Sequence, residues 1–156
     1  MSLTGLHQQC EDRLPVVDSI HTLPPLPVAD ELTRPFWEAA RTGQLVIQRC
    51  QKSGRWFHPP RPLCTCCVSS DLAFEPVSGR GTVYTFVVMR DRRVRGFQDR
   101  VPYVNVWVEL EEQPFLTVVA NLVDAEPKEA RIGMPVEVTF ERLTEDVALP
   151  QFRPRR

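Results

Sequence analysis

The chain contains 156 residues, with nineteen Lys+Arg, twenty Asp+Glu and a formal net charge of -1. This length fits one domain, or two small modules that share a core. The balanced charge argues against a general polyanion binder, and no apolar run approaches the roughly 20 residues that a membrane helix needs. Because no basic region followed by an apolar stretch opens the sequence, we expect a cytoplasmic protein with no secretory signal and no membrane partner.

The first part of the chain is predicted to be an arm followed by a short helix. Residues 1–29 include a proline-rich stretch without a helical or strand period, which favours extended chain; a disordered terminus is the alternative. Thr33 can cap the helix, Pro35 fits its first turn and Gly43 can end it. The predicted apolar face of the helix consists of Phe36, Trp37 and Ala40.

Alternating apolar residues predict β-strands through most of the remaining chain. The predicted strands are residues 44–49, 72–77, 82–90, 103–111, 115–123 and 135–142. Ser78–Gly81 is interpreted as a hairpin turn, and residues 124–133 can hold one helical turn. Evenly spaced amphipathic strands of this kind predict a closed or nearly closed barrel of about five strands.

The alternation also predicts which side chains face the core of the barrel. In residues 82–90 the alternation places one set of side chains on one face of the strand, namely Val83, Thr85, Val87 and Met89, and the other set on the opposite face, namely Tyr84, Phe86 and Val88. In the later strands the predicted core residues are Val104, Val106, Val108, Leu110, Leu116, Val118, Ala120, Leu122, Val136, Val138 and Phe140. We therefore predict a mostly β chain of the α+β class, with an arm over 1–29, a helix and cysteine-containing module over 30–77, and a barrel over 78–156.

The cysteines are unevenly distributed, which points to metal chemistry before structural disulfides. Cys10 stands alone, and four others are clustered: Cys50, Cys64, Cys66 and Cys67. Structural zinc commonly takes four sulfur or nitrogen ligands from two short knuckles. Residues 64–67 have the C-x2-C spacing of one knuckle, and residues 50–54 have the spacing of the other, with serine at position 53. We predict a structural zinc site held by the three cysteines at good spacing, Cys50, Cys64 and Cys67.

The sequence leaves the fourth zinc ligand open. The neutral hydroxyl of Ser53 is a poor ligand for zinc, and Cys66 cannot easily face the same ion as the adjacent Cys67. His58 and a water molecule are the other candidates. Packing of the aromatic residues and prolines, or a disulfide in an oxidised sample, would hold the module without metal. A catalytic metal is not expected, because no acidic or basic residue lies at a spacing from these cysteines that would indicate a catalytic site.

A dense group of arginines lies between two predicted strands. Residues 90–100 contain five arginines beside Gly96 and Phe97. Such side chains can clamp a phosphorylated nucleotide or an acidic patch on a protein, or they can simply be solvated. The predicted contacts for CoA or a partner are Arg90, Arg92, Arg93, Arg95 and Phe97. The C-terminal residues Arg153, Arg155 and Arg156 can add to the same surface.

An ordered set of motifs extends over roughly Asp30 to Pro154. In chain order these are residues 36–39 (FWEA), 43–50 (GQLVIQRC), 54–64 (GRWFHPPRPLC), 78–86 (SGRGTVYTF), 102–103 (PY), 132–138 (IGMPVEV) and 149–154 (LPQFRP). Together they closely resemble the acyl-CoA-associated family built from a rubredoxin-like zinc ribbon followed by an OB-fold domain. The family's four zinc cysteines map to Cys50, Ser53, Cys64 and Cys67, so this chain departs from the pattern at Ser53. The resemblance implies a zinc ribbon followed by a five-stranded OB-fold barrel.

The resemblance also implies a function in which this chain is not the catalyst. Members of the family are usually small noncatalytic partners of thiolase-like enzymes, and a second group associates with hot-dog-fold enoyl-CoA hydratases. We therefore expect a scaffold subunit of a thiolase-like acyltransferase or thiolase complex acting on acyl-CoA or acyl-ketone substrates, with CoA as a further contact. The alternatives are a partner of such a hydratase and a single-stranded nucleic-acid binder. The balanced charge makes nucleic acid the less favoured partner.

Overall fold

The computed structural model describes residues 24–155. Its helix α1 spans Arg34–Arg41, and its strands are β1 Val46–Cys50, β2 Trp56–Phe57, β3 Leu72–Pro76, β4 Arg80–Met89, β5 Tyr103–Leu110, β6 Thr117–Leu122, β7 Pro135–Arg142 and β8 Ala148–Pro154. A single 3-10 turn, Pro127–Glu129, lies between β6 and β7 as predicted. Residues 24–29 contain neither helix nor strand, and the rest of the predicted arm, with Cys10, lies outside the described residues. No helix within residues 24–155 is long and apolar enough to cross a membrane.

Helix α1 is confirmed, but the residues at its start act differently from the prediction. Thr33 stands at the N-cap without capping a helical N–H through its side chain. Instead, its backbone N–H donates to Asp30 Oδ1 at 2.7 Å, and the Asp30 N–H donates to Thr33 Oγ1 at 3.1 Å. The helix ends as expected before Gly43, whose φ of +78° is left-handed. Phe36 and Ala40 are buried, as the predicted apolar face requires.

The strands form two separate sheets. β1 pairs with β2 on one side and β3 on the other, all antiparallel. The other five strands close into a barrel in the order β4-β5-β6-β8-β7, in which β4 also pairs with β7. β6 and β8 are parallel and meet at Leu122 and Phe152. This arrangement confirms the predicted five-stranded barrel and is consistent with an OB-fold.

The prediction of a hairpin turn at Ser78–Gly81 was wrong. β3 belongs to the small sheet, whereas β4 pairs with β5 and β7, so this segment connects the two sheets. Its glycines are required by close approach of the backbone. A Cβ at Gly79 would clash with the Val138 side chain, and one at Gly81 would clash with the carbonyl oxygen of Glu109.

The fifth strand of the barrel was not predicted from the alternation. β8 contains two prolines, Pro150 and Pro154, which cannot donate a backbone hydrogen bond and therefore weaken the strand signal. The strand nevertheless pairs along β7, from Val136 opposite Pro154 to Arg142 opposite Ala148. Its central Phe152 is fully buried.

A β-bulge in β4 corrects the predicted faces of that strand. Val83 pairs with Val108 and Thr85 pairs with Trp107, so Tyr84 is an extra residue on its strand. The alternation therefore shifts by one residue at this point. Val83 lies in the core with Phe86 and Val88 packed against it, while Val87 is exposed.

The core crosses the predicted boundary between residues 77 and 78. The predicted faces of β5 and β6 are buried, and Val138 and Phe140 of β7 pack against the same cluster. Phe36, Leu45 and Ile47, which precede the barrel in sequence, belong to this cluster too. A second, smaller cluster consists of Cys50, Phe57 and Cys64, with Leu72 packed against it.

A polar clamp also joins the small sheet to the barrel. The Trp56 N–H donates to Gln113 Oε1 at 3.0 Å, and Gln113 Nε2 donates to the Trp56 carbonyl oxygen at 3.3 Å. Gln113 lies in the connection between β5 and β6. One amide side chain thus satisfies both backbone groups of Trp56.

Candidate metal centre and contact surface

Two short turns of matching geometry bring the cysteines together. The Gly54 N–H donates to the Cys50 carbonyl at 2.8 Å, and the Val68 N–H donates to the Cys64 carbonyl at 2.9 Å. Gly54 and Val68 both have left-handed φ angles, +72° and +55°. Each turn therefore has the same hydrogen bond and the same reversal of backbone direction at its fifth residue.

The three cysteines predicted to bind zinc form one group. The Sγ atoms of Cys50, Cys64 and Cys67 all lie within 4.8 Å of one another. The Cys50–Cys67 Sγ distance is 3.6 Å, close to the separation of about 3.8 Å between two sulfurs on a tetrahedral zinc. Cys50 and Cys64 are buried, and none of the four cysteines among the described residues is in a disulfide. The donor set is thus consistent with structural zinc.

Hydrogen bonds from Ser53 favour the thiolate form of two of these cysteines. The Ser53 hydroxyl lies 3.4 Å from Cys64 Sγ, and this contact lowers the pKa of Cys64 to about 6. Ser53 also lowers the pKa of Cys50, first through its side chain and then through its backbone N–H. At Cys67 the Ser69 backbone favours the thiolate, but burial and the neighbouring thiols raise the pKa overall. Metal binding requires the thiolate, so Ser53 prepares Cys50 and Cys64 for it.

The other predicted metal ligands lie elsewhere. Cys66 is exposed and does not belong to the group of clustered sulfurs. The His58 ring packs on Phe36, with ring centroids 5.3 Å apart. Burial lowers the pKa of His58 to about 4, so the ring is neutral at pH 7.

The arginine loop, residues 90–100, contains two kinds of arginine. Arg93 bonds Asp91 at 2.8 Å, and Arg100 bonds Glu141 of β7 at 2.8 Å. Across the part of the chain that the structure describes, no ion pair is made by Arg90, Arg92 or Arg95, and all three are exposed. The predicted set therefore divides into arginines that hold the loop and arginines that are available for a ligand or partner.

Phe97 connects this loop to a cleft that was not predicted from the sequence. The cleft has a volume of about 430 Å³ and lies between helix α1 and the outer side of the barrel. Its apolar lining includes Phe36, Trp37, Phe97 and Tyr103, and its polar lining includes His58 and Asn105. Phe97 packs on Tyr103 with ring centroids 5.1 Å apart. Because distant segments build the cleft, no local pattern in the sequence marks it.

An exposed apolar face continues from the cleft across the outside of the barrel. Trp107 of β5 pairs with Val119 of β6, and the two side chains are 38% and 50% exposed. Val87 and the bulge residue Tyr84 of β4 are also exposed, at 44% and 52%. We call these four residues the Trp107 face. The C-terminal arginines that were expected to add to the arginine loop are engaged in other ion pairs: Arg153 pairs with Glu137 and Arg155 with Glu111. Arg156 lies outside the described residues.

Two family models match this chain, one in each module. The model described as the ChsH2 rubredoxin-like zinc ribbon domain matches residues 37–74. The model described as the ChsH2 C-terminal OB-fold domain matches residues 74–141. The expected order of zinc ribbon and OB-fold is therefore confirmed.

Similar proteins include both free-standing and larger chains. A DUF35 domain-containing scaffold protein of Methanocaldococcus jannaschii is 36% identical over 104 residues, which are 65% of this chain and 71% of that protein. A probable enoyl-CoA hydratase alpha subunit of Thermomonospora curvata is 40% identical over 120 residues, 76% of this chain. The match spans only 36% of that subunit's length.

Solved structures show the same architecture. A chain of the Ltp2-ChsH2(DUF35) aldolase superposes with a TM-score of 0.75 and 36% sequence identity. The match covers 82% of this chain and 98% of that chain. The similarity therefore includes the relative arrangement of small sheet and barrel.

Proposed function

The chain belongs to the DUF35 family of zinc-ribbon and OB-fold proteins, and from this premise we propose that it is a noncatalytic scaffold subunit of a thiolase-like enzyme complex. The bond-making chemistry on acyl-CoA or acyl-ketone substrates then belongs to the partner. The scaffold proteins among its relatives and the aldolase in which a similar chain occurs support this assignment.

The Trp107 face is the single observation that carries the proposal. Protein interfaces are enriched in aromatic residues and arginine, with apolar contacts at the centre and polar groups at the rim. Here an exposed tryptophan and two valines lie on the barrel face next to an arginine loop in which three cations make no ion pair within residues 24–155. We therefore place the thiolase-like subunit on this face, with Trp107 as the anchor and the loop as the rim.

Arg90, Arg92 and Arg95 are the proposed contacts for CoA or for acidic residues of the partner. Their guanidinium groups are exposed, and forked hydrogen bonds suit phosphate and carboxylate groups equally. Arg93 is less suited, because it is bound to Asp91 at 2.8 Å. Phe97 packs on Tyr103 and so fixes the loop beside the cleft.

The zinc is proposed to be structural and to be held by Cys50, Cys64 and Cys67. The metal would cross-link the ends of β1 and the loop before β3, where few apolar residues are buried. A structural ion of this kind supplies stability to the fold and takes no part in the reaction.

Co-expression with a thiolase-like polypeptide from the same organism tests the assignment. We expect the two to co-elute on gel filtration, and Trp107→Glu to abolish co-elution. Combined reversal of Arg90, Arg92 and Arg95 to glutamate should weaken the complex by at least about ten-fold. The matched control is reversal of Lys128 and Arg131, two exposed cations on the β6–β7 connection. If wild type fails to co-elute with the polypeptide, the proposal is wrong.

A hydratase partner is the second candidate. The observation behind this candidate is the 40% identity to the probable enoyl-CoA hydratase alpha subunit. The same co-expression with a hot-dog-fold hydratase polypeptide distinguishes the two, because only the true partner should co-elute and lose binding in Trp107→Glu. A salt-dependent gel shift with single-stranded DNA would instead favour nucleic-acid binding.

A further inference from the structure

We infer that the fourth corner of the metal site lies at Ser53, so that this chain holds zinc through three thiolates and one exchangeable oxygen. The two turns around the site support this position. Cys50 and Cys64 each begin a turn, and Gly54 and Val68 each end one with a left-handed φ. Ser53 therefore occupies in the first turn the place that Cys67 occupies in the second.

The hydroxyl of Ser53 lies at a distance that fits a ligand oxygen. Its Oγ is 3.4 Å from Cys64 Sγ. On a tetrahedral ion with Zn–S of about 2.3 Å and Zn–O of about 2.1 Å, the oxygen and sulfur ligands are about 3.6 Å apart. The Ser53 N–H also donates to Cys50 Sγ at 3.4 Å, which fixes the residue against a second sulfur.

The same comparison of the turns excludes Cys66. Cys66 is the third residue of its turn, and its counterpart in the first turn is Lys52. The backbone N–H of Cys66 donates to Cys64 Sγ at 3.4 Å, while the side chain is exposed. Cys66 thus supports the site through its backbone and adds no sulfur to it.

His58 is excluded by its own surroundings. The ring packs on Phe36 and lines the cleft beside helix α1. It therefore belongs to the seam between helix and barrel and is not part of the metal group.

An oxygen at this corner gives the site different properties from a site with four cysteines. Zinc with three thiolates and a neutral oxygen carries a charge of about -1, compared with about -2 for four thiolates. The neutral oxygen is a weaker ligand, and both Ser53 and Cys67 are exposed, so solvent and chelators reach this side. We expect the ion to leave faster than it would from a four-cysteine site.

Three single substitutions in the full chain test this inference, with cobalt and zinc as the probes. Ser53→Cys should complete the four-thiolate site. Lys52→Cys is the matched control, because it adds a thiol one residue away at the position equivalent to Cys66. Cys66→Ser removes the unused thiol. Each variant is loaded with Co²⁺ under reducing conditions to record the thiolate-to-cobalt charge-transfer band, and with Zn²⁺ to record its release to a chelator.

We expect Ser53→Cys to raise the charge-transfer intensity per bound cobalt by about one third, as three thiolates become four. It should also slow zinc release by at least about ten-fold. Lys52→Cys and Cys66→Ser should match wild type in both measurements. The inference is overturned if Ser53→Cys leaves the band unchanged, if Lys52→Cys gives the same gain, or if Cys66→Ser lowers the wild-type intensity.

Discussion

The barrel and the small cysteine-containing sheet are stabilised in opposite ways. The barrel buries a continuous set of valine, leucine and phenylalanine side chains from all of its strands. Among the described residues, the small sheet has its own buried cluster of Cys50, Phe57 and Cys64, two of which are proposed metal ligands. Burial of apolar area therefore suffices for the barrel, whereas the small sheet depends on cross-links and on its contacts with the barrel.

The largest expected difference between the two regions follows removal of a metal ligand. Cys64→Ser should abolish zinc binding, whose apparent free energy is on the order of 10 kcal/mol in zinc-finger peptides. We expect amide hydrogen exchange to show lost protection in β1–β3 and retained protection in β5 and β6. Cys66→Ser, a change of the same size at an exposed cysteine, should leave both regions protected. Retained protection of β1–β3 in Cys64→Ser would mean that packing alone holds the small sheet.

Truncation of the barrel core should act on the whole molecule. Phe152 is fully buried where β6 and β8 meet, so Phe152→Ala should lower the free energy of unfolding by about 3–5 kcal/mol. Phe115, which is 79% exposed, provides the matched control, and Phe115→Ala should stay within about 0.5 kcal/mol of wild type. Urea unfolding measures both. Equal losses in the two variants would mean that Phe152 stabilises the barrel no more than an exposed side chain does.

The seam between helix and barrel should become less stable in acid. Burial lowers the pKa of His58 to about 4, below its unfolded value near 6.5, so the unfolded chain binds the extra proton. The stability that neutral His58 contributes is present above about pH 6.5 and is lost as the pH falls towards 4. Between pH 7 and pH 5 this loss is about 1–2 kcal/mol.

The His58 effect is isolated by the difference between wild type and His58→Phe. Acid also protonates the thiolates, but that contribution is common to both proteins and cancels. Urea unfolding at the two pH values should therefore show a steeper loss for wild type. Identical slopes would show that His58 is accessible to protons in the folded protein.

The most local effect concerns the junction of the two regions. Gln113→Ala removes both hydrogen bonds to the backbone of Trp56 and should cost about 1–2 kcal/mol. Loss of these two hydrogen bonds should increase amide hydrogen exchange in β2 more than in β5. Gln44→Ala, at an exposed glutamine, is the control and should have no effect on either strand. A uniform increase in exchange would contradict a local role for the clamp.

The sequence predicted those features that depend on local patterns. The valines of β5 alternate without interruption, and this pattern alone identifies the strand and its buried face. The grouping of Cys50, Cys64 and Cys67 likewise follows from their spacing in the sequence. β8 was missed because its prolines obscure the strand signal, although pairing along β7 accommodates them.

Features made by distant residues could not be predicted in this way. The bulge at Tyr84 is defined by the partner strand, and alternation within β4 gives no sign of it. The cleft unites helix α1, the loop at Phe97 and three barrel strands, which only the folded chain brings together. The pairing of Arg100 with Glu141 likewise joins residues that are far apart in the chain.

The bulge at Tyr84 has a consequence for how β4 tolerates change in length. The ladder with β5 passes from Val83 directly to Thr85, so removing Tyr84 would leave every other residue of the strand on its present side. Deleting a paired residue such as Val87 would instead move the side chains on one side of the deletion to the opposite face of the sheet. Tyr84 is thus an extra residue in the strand that contributes curvature to the barrel wall. Its side chain is 52% exposed and can contact a molecule that binds to the outside of the barrel.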